Sequence, residues 1–129
     1  MIHLVDSSGW IEYFADGPHA AQFEPLLQDT ANLLVPTVVL FEVKKYFFRN
    51  SASMVPVVAA TMEEALVVDL TPDVATLAAK LSIRHGLHLA DSVIFATKTV
   101  RRATLWTLDQ HFEKLAGPDV RYIRPSKRK

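Results

Sequence analysis

The chain has 129 residues, a length that suits one domain, and half of them are hydrophobic, which excludes a disordered protein. The lack of cysteine excludes disulfides, thiolate metal sites and a cysteine nucleophile, and it suits a reducing compartment. The first residues do not resemble a signal peptide, and no apolar run reaches the roughly 18–20 residues of a membrane span. We therefore expect a soluble, cytoplasmic protein without a membrane partner.

The net charge is zero, but charge is distributed unevenly along the chain. Residues 1–64 hold eight acids and three bases, whereas residues 65–129 hold six acids and eleven bases. A basic second half could meet a phosphate backbone, and an ordinary solvated surface explains it equally well. Charge alone therefore leaves nucleic-acid binding open.

Short apolar strands alternate with amphipathic helices along the chain. Strands are expected at residues 2–5, 33–35, 66–68, 104–107 and 121–123. Helices are expected at residues 7–14, 19–28, 38–49, 56–64, 72–85 and 89–99, with a short one at 109–115. Such alternation favours a parallel sheet with helices on both faces. With no linker or repeat in between, we predict a single domain over residues 1–124 and a basic tail over residues 125–129.

Capping residues mark several of the expected helix ends. Ser7 and Ser8 can cap the first helix, and Thr37 can cap the third. Thr71 stands before a proline, which is typical of a helix start, and Gly86 is expected to end that helix.

Two acids directly follow predicted strands. Asp6 comes after the first strand, and Asp109 comes after the strand that ends at Thr107. Ligands of open α/β sheets bind beyond the carboxyl ends of the strands, so these two acids can face one crevice. Each could instead cap the helix that follows it.

Glu42 and Asp91 lie within helices at positions that favour a functional role. Glu42 interrupts an apolar stripe, so it either lines a pocket or forms an exposed pair with Lys45. Asp91 lies in the first turn of its helix, where the helix dipole also favours an acid. A metal site built from His85, His88 and Asp91 is a weaker alternative, because a glycine separates the two histidines.

These four acids could converge at one end of the sheet. Carboxylates about 4 Å apart repel by several kcal/mol, so the cluster would need protons or cations to neutralise it. Oxygen ligands without cysteine indicate a hard cation, Mg²⁺ or Mn²⁺. Such a site fits hydrolysis of a phosphodiester by metal-activated water.

Four segments in this order resemble the PIN-domain ribonuclease family, and in particular VapC-type toxins of type II toxin–antitoxin systems. The segments are Val5-Asp6-Ser7-Ser8, Phe41-Glu42-Val43, Leu89-Ala90-Asp91-Ser92-Val93-Ile94 and Leu105-Trp106-Thr107-Leu108-Asp109-Gln110-His111-Phe112. Each segment alone is a weak pattern, but the four together span roughly residues 2–123. The resemblance implies a three-layer α/β/α sandwich with a central, mostly parallel sheet.

The resemblance also implies a Mg²⁺-dependent endoribonuclease, with Mn²⁺ as a substitute metal. The implied metal-site residues are Asp6, Glu42, Asp91 and Asp109. Asp6 and Asp91 are the firmest ligands, Glu42 binds metal or orients the attacking water, and Asp109 completes the site. Ser8 and Thr107 match hydroxyl positions beside the acids, although helix capping and strand pairing would also explain them.

The third segment departs from the family pattern. Ile94 and Phe95 occupy a neighbourhood where some relatives have a further acid, which leaves a second metal ion open. Lys98, two turns after Asp91, is a candidate for contact with substrate phosphate.

The resemblance further implies an RNA substrate, a cognate antitoxin, a homodimer and inhibition of translation. Candidates for an antitoxin groove are Trp10, Tyr13, Phe14, Tyr46, Phe47 and Phe48. Candidates for RNA contacts are Lys44, Lys45, Arg49, Arg84, Lys98, Arg101 and Arg102.

Other classes of protein share the expected architecture. A phospho-receiver domain has paired acids after the first strand, and a haloacid-dehalogenase phosphatase has a second acid two residues after the first. Ser7 and Ser8 stand at those positions. A non-catalytic α/β binding module, and a PIN-like nuclease that acts on DNA or in RNA processing, remain as alternatives.

Overall fold

The computed structural model describes residues 1–126 and contains five strands and six α-helices. The strands are β1 (His3–Val5), β2 (Leu33–Pro36), β3 (Leu66–Val68), β4 (Thr104–Thr107) and β5 (Val120–Tyr122). The helices are α1 (Ser7–Phe14), α2 (Ala20–Gln28), α3 (Thr37–Asn50), α4 (Val55–Met62), α5 (Pro72–His85) and α6 (Leu89–Arg101). Short 3₁₀ helices cover Thr30–Asn32, Ala52–Met54 and Gln110–Leu115.

The five strands form one sheet in the order β3-β2-β1-β4-β5, and every pair is parallel. The predicted α/β class with a mostly parallel sheet is therefore confirmed. The chain builds β1, β2 and β3 outward on one side, then crosses to β4 and β5 on the other side of β1. The strand order thus reverses between β1 and β4, and ligands of open α/β sheets bind at such a reversal.

The core is built on the central strands. Leu4, Val5, Val35 and Leu105 are fully buried, as short apolar runs of a parallel sheet with covered faces should be. A second apolar cluster lies between α5 and α6. No helix within residues 1–126 is long and apolar enough to cross a membrane.

Gly9 brings α1 close to β1. A Cβ atom at this position would lie 2.6 Å from Val5 Cγ1 and 2.7 Å from Phe23 Cε1, which is closer than carbon atoms can approach. The absence of a side chain therefore sets the packing of α1 beside the end of β1, where Asp6 and Ser8 lie.

The predicted helix ends are confirmed in part. Thr71 accepts a hydrogen bond from Val74 N–H at the start of α5, and Gly86 ends that helix with a φ of 67°. In contrast, Thr37 is the first residue of α3 and does not cap it, because Pro36 holds the cap position.

The two ends of the domain differ slightly from expectation. The cap of α1 is Asp6, not Ser7 or Ser8, so this acid has a structural role in addition to any chemical one. Of the predicted tail at 125–129, residues 127–129 lie outside the described residues, and Ser126 N–H donates to His19 Nε2 at 3.2 Å. The domain boundary at residue 124 stays a prediction.

Candidate metal centre

The structure brings the four predicted acids together at the carboxyl end of the sheet. Asp6 follows β1, Asp109 follows β4, Glu42 lies in the second turn of α3 directly after β2, and Asp91 lies in the first turn of α6. The carboxylates are close enough that neighbouring charges raise the pKa values of Asp6, Glu42 and Asp91. They surround the point at which the strand order reverses.

Asp6 is the most deeply buried of the four, with 2% of its surface exposed. Burial is the main cause that raises its pKa to about 6, and the charges of Glu42 and Asp109 add to the shift. Hydrogen bonds from Thr107 Oγ1 at 2.7 Å and from Ser7 N–H at 2.7 Å oppose it. The protein therefore orients this carboxylate firmly and leaves its charge uncompensated.

Ser8 and Thr107 tie the ends of β1 and β4 together through Asp6. Thr107 Oγ1 donates to Asp6 Oδ2 and accepts from Asp109 N–H at 2.9 Å. Ser8 Oγ donates to Asp6 Oδ2 at 3.2 Å and accepts from Leu108 N–H at 3.0 Å. Both hydroxyl groups lie beside the acids, as the resemblance implies, and their contacts position the Asp6 carboxylate.

Glu42 has a buried oxygen without a partner. Its Oε1 atom is shielded from solvent and accepts no hydrogen bond from any residue that the structure describes. Burial raises the pKa of this carboxyl, the nearby Ser7 hydroxyl and the charge of Lys45 oppose the rise, and the charges of Asp91 and Asp109 add to it. Lys45 forms no salt bridge with it within residues 1–126, so the exposed-pair alternative is not what the structure shows. A buried acceptor of this kind is costly unless a group from outside the chain binds it.

His111 is a fifth member of the candidate site, and no pattern in the sequence predicted a role for it. Its Nδ1 atom lies 3.0 Å from Asp109 Oδ1 and 3.3 Å from Asp91 Oδ2. Ligand atoms of these three side chains all lie within 4.8 Å of one another, so they form a group that could hold a divalent cation. Burial, followed by the charge of Asp109, raises the pKa of Asp91, and the nearby His111 and His88 oppose the rise.

The position of His111 follows from a local contact. Asp109 accepts a hydrogen bond from His111 N–H at 2.9 Å and thereby caps the 3₁₀ helix Gln110–Leu115. The available signal was the spacing of Asp109 and His111 two residues apart, directly after a strand. The sequence could not show that Asp91, twenty residues earlier in the chain, faces the same imidazole.

The metal site proposed for His85, His88 and Asp91 is not formed. The ring of His85 packs against Phe95 with 6.1 Å between centroids, away from the acids. The ring of His88 lies 5.7 Å from that of His111, at the rim of the cluster. Gly86 separates the two histidines, as expected. The histidine that lies beside Asp91 is His111, not His85.

Lys98 does not reach the carboxylates of the candidate metal centre. Its Nζ atom lies 2.7 Å from Asp119 Oδ2, at the opposite end of α6 and just before β5 begins. This ion pair lowers the pKa of Asp119 through its hydrogen bond. The helix carries Lys98 to the amino end of the sheet, so the structure does not bring it together with Asp91, and its contact with substrate phosphate stays a prediction.

The residues present fit a hard divalent cation. Three carboxyls with raised pKa values and an unpartnered Glu42 oxygen form a set of oxygen donors that lacks compensating charge. Carboxylate oxygens are the ligands that Mg²⁺ and Mn²⁺ prefer, and the imidazole of His111 is a donor that Mn²⁺ accepts more readily than Mg²⁺.

A parallel α/β sheet with an acidic cluster at its strand reversal defines a class of candidate metal-dependent hydrolases. Residues 3–118 match the family described as PIN domain, and the chain belongs to that family. The predicted family membership is therefore confirmed. The chain matches no curated protein.

Solved structures of toxin–antitoxin proteins share the fold. A toxin–antitoxin complex from Klebsiella pneumoniae is 20% identical, with a TM-score of 0.74, over 85% of this chain and 89% of that one. Mycobacterium tuberculosis VapC20, described as a Sarcin-Ricin loop cleaving toxin, is 20% identical with a TM-score of 0.73, over 92% and 98%. Rickettsia felis VapBC2, bound to a DNA fragment from its promoter, is 15% identical with a TM-score of 0.71, over 95% and 98%.

Proposed function

We propose that the protein is a divalent-metal-dependent endoribonuclease and the toxin of a toxin–antitoxin pair that inhibits translation. The observation that carries the catalytic part is the uncompensated carboxylate cluster at the strand reversal, with Glu42 Oε1 buried and unpartnered. PIN domains are typically metal-dependent nucleases, and this chain has an acid at each of the four positions that the resemblance implies. A non-catalytic binding module would not need a cluster of acids in which the pKa values of Asp6, Glu42 and Asp91 are raised.

Asp6, Asp91 and Asp109 would hold the cation, with Glu42 at the edge of the same set. A bound Mg²⁺ or Mn²⁺ supplies positive charge beside the scissile phosphate and lowers the pKa of water. Hydrogen bonds from Ser8 and Thr107 fix the Asp6 carboxylate before substrate arrives, so little reorganisation is needed.

Glu42 is suited to accept a proton from the attacking water. Its side chain lines the depression beside Ser7, and its raised pKa makes it a better base than an exposed glutamate. The reaction would break the bond between phosphorus and the leaving ribose oxygen, which takes up a proton as it departs. No serine, cysteine or histidine nucleophile is required.

The choice of RNA and of an antitoxin partner draws on the structural neighbours. VapC20 is described as a toxin that cleaves the Sarcin-Ricin loop, and other neighbours were crystallised as toxin–antitoxin complexes. A basic side chain of an antitoxin would neutralise the carboxylates by a charge-assisted hydrogen bond. A homodimer remains part of this proposal.

Incubation of the purified protein with total RNA tests the catalytic proposal. Mg²⁺, Mn²⁺ and a chelator are compared for the wild type, an Asp6→Asn/Asp91→Asn variant and an Asp119→Asn control, which changes an acid at the other end of the sheet. We expect metal-dependent fragments from the wild type and the control, and none from the double variant.

The same assay with single-stranded DNA distinguishes the substrate. Metal-dependent cleavage of DNA but not RNA would overturn the ribonuclease assignment and leave a PIN-like DNA nuclease. Equal inertness of the wild type and the double variant on both substrates, in protein shown to be folded and free of antitoxin, would overturn the catalytic proposal.

A further inference from the structure

The outward face of α3 carries an unusual combination of bases and exposed aromatic rings. We define the α3 surface as Phe41, Lys44, Lys45, Phe48 and Arg49. Its three cations are the only bases among residues 1–64, which hold eight acids. They lie within six residues of one another, so this surface is the one basic area in an acidic half of the sequence.

The two phenylalanines of this surface are largely exposed. Phe41 is 61% exposed and Phe48 is 64% exposed, although phenylalanine is usually buried. They lie two helical turns apart on one face, about 10 Å along the axis. Lys45 Nζ lies 5.8 Å from the centre of the Phe41 ring, so aromatic faces and cations alternate along the surface.

This surface is continuous with the carboxylate site. One depression is lined by the five residues of the α3 surface. A second, of about 310 Å³, is lined by Ser7, Ile11, Phe41, Glu42, Lys45, Tyr46, Arg49 and Asn50. The two share Phe41, Lys45 and Arg49, and the second reaches Glu42 of the candidate metal centre. A chain that lies along α3 would therefore reach the acids.

We propose that the α3 surface binds a single-stranded segment of RNA and leads it to the carboxylate site. This inference rests on the proposed function for the identity of the site that it leads to. Single strands are bound by surfaces that combine cations for the phosphates with aromatic faces on which unpaired bases stack. A phosphate backbone that approaches four acids also needs neighbouring cations, and within residues 1–126 no salt bridge engages Lys44, Lys45 or Arg49.

The composition of the surface favours RNA over a protein partner. Exposed phenylalanines would suit either, but lysine is depleted at the centres of protein interfaces, and here Lys44 and Lys45 lie between the two rings. Tyrosine and tryptophan at protein interfaces often form hydrogen bonds through the hydroxyl or indole N–H group, and phenylalanine has neither group. The α3 surface therefore fits a flexible single strand of RNA, whose backbone is negatively charged and whose bases are exposed.

Binding of a fluorescent oligouridine is the test, in an Asp6→Asn background with Mg²⁺ so that cleavage does not interfere. Phe48→Ala/Arg49→Gln removes one ring and one charge from the surface. Lys80→Gln/Ile83→Ala is the matched control, since it removes one charge and one exposed apolar side chain from α5, at residues that are not candidates for RNA contact. We expect the first variant to weaken binding by roughly tenfold or more and to reduce the salt dependence, and the control to change affinity by less than about twofold.

Two single variants separate stacking from apolar contact. Phe48→Trp should bind oligouridine as tightly as the parent, whereas Phe48→Leu, which stays apolar but lacks an aromatic face, should lose most of the affinity that Phe48→Ala loses. A duplex of the same length should bind more weakly than the single strand, because its bases are already stacked. Circular dichroism confirms that each variant is folded.

Equal RNA affinities of Phe48→Ala/Arg49→Gln and its control would overturn the proposal. If that variant instead abolished a dimer or antitoxin binding and left RNA binding intact, the surface would be assigned to the protein partner. The binding result does not depend on cleavage. If the α3 surface binds RNA but the wild type does not cleave it, the proposed function is rejected and the RNA-binding role of the α3 surface stands. If the wild type cleaves RNA but the α3 surface does not bind it, the proposed function stands and the role of the α3 surface is rejected.

Discussion

Asp119 and Asp6 are aspartates at opposite ends of the same sheet, and their surroundings shift their pKa values in opposite directions. At the amino end, Asp119 accepts a hydrogen bond from Lys98 Nζ at 2.7 Å, and its pKa is lowered. At the carboxyl end, Asp6 is buried beside Glu42 and Asp109, and its pKa is raised to about 6. The charge of Asp119 is compensated within the protein, whereas that of Asp6 is not.

This difference in compensating charge distinguishes the candidate metal centre from the ordinary charged residues of the protein. Proteins rarely bury an ionisable group without a partner, because the loss of hydration destabilises the folded state. The uncompensated acids lie where the strand order reverses. The loss of folding free energy that they cause is therefore located where ligands of such sheets bind. We infer that the acids at the carboxyl end of the sheet need a cation to compensate their charge, whereas Asp119 at the amino end is already paired with Lys98.

The largest expected difference between the two ends is in catalysis. Asp91→Asn should lower kcat/KM for a mapped RNA fragment by about a thousandfold or more, because loss of a ligand removes several kcal/mol of transition-state stabilisation. Asp119→Asn, the same chemical change at the other end, should alter it by less than about twofold. Comparable losses in the two variants would show that the ends are not functionally distinct.

The second difference concerns pH and stability without metal. Between about pH 4 and pH 6 folded Asp6 binds a proton that the unfolded chain does not, because its pKa of about 6 exceeds the ordinary 3.8. Asp6 therefore destabilises the metal-free fold above pH 6, by roughly 2–3 kcal/mol, and this cost decreases as pH falls below 6 and is lost below about pH 4. Asp6→Asn should be the more stable protein at pH 7.5, and the gap should narrow as pH falls from 6 towards 4.

Urea unfolding of both proteins in a chelator, at several pH values, measures that gap. Asp119 should show the opposite dependence, since a lowered pKa contributes stability that is lost as pH falls through the folded value. A gap between wild type and Asp6→Asn that is constant across pH would contradict a raised pKa at Asp6.

The smallest expected effect is at the amino end. Asp119→Asn should lower the free energy of unfolding by about 1 kcal/mol, because Lys98, whose side chain is 8% exposed, loses its charged partner. Glu113→Gln is the control, since its pair with Arg124 is longer, at 3.6 Å, and exposed on both sides. That variant should differ from the wild type by less than about 0.5 kcal/mol. Equal effects in the two variants would show that burial of Lys98 adds nothing.

Local patterns in the sequence predicted most of the fold and the four acids. Apolar runs located the strands, and the position of Asp6 and Asp109 directly after strands placed both at one end of a parallel sheet. Glu42 was recognisable because it interrupts an apolar stripe, and the structure leaves its Oε1 atom unpartnered. These predictions depend on spacing within a single element, which the sequence shows directly.

Contacts between distant elements could not be predicted in this way. Lys98 and Asp119 are 21 residues apart, and nothing local shows that α6 ends beside the start of β5. The place of His111 beside Asp91 depends on the packing of α6 near the turn after β4. The sequence offered Asp6, Ser7 and Ser8 as caps of the first helix, and local patterns could not decide among them.

The most direct test of the central claim is the effect of Mg²⁺ on unfolding at pH 7 for wild type and Asp6→Asn. We predict that Asp6→Asn is the more stable protein in a chelator, by about 1–3 kcal/mol. Saturating Mg²⁺ should stabilise the wild type and leave the variant nearly unchanged, because only the wild type keeps the full set of carboxylates for the metal. If the variant is the less stable protein in a chelator, and Mg²⁺ affects neither protein, the carboxyl end of the sheet is not a metal site.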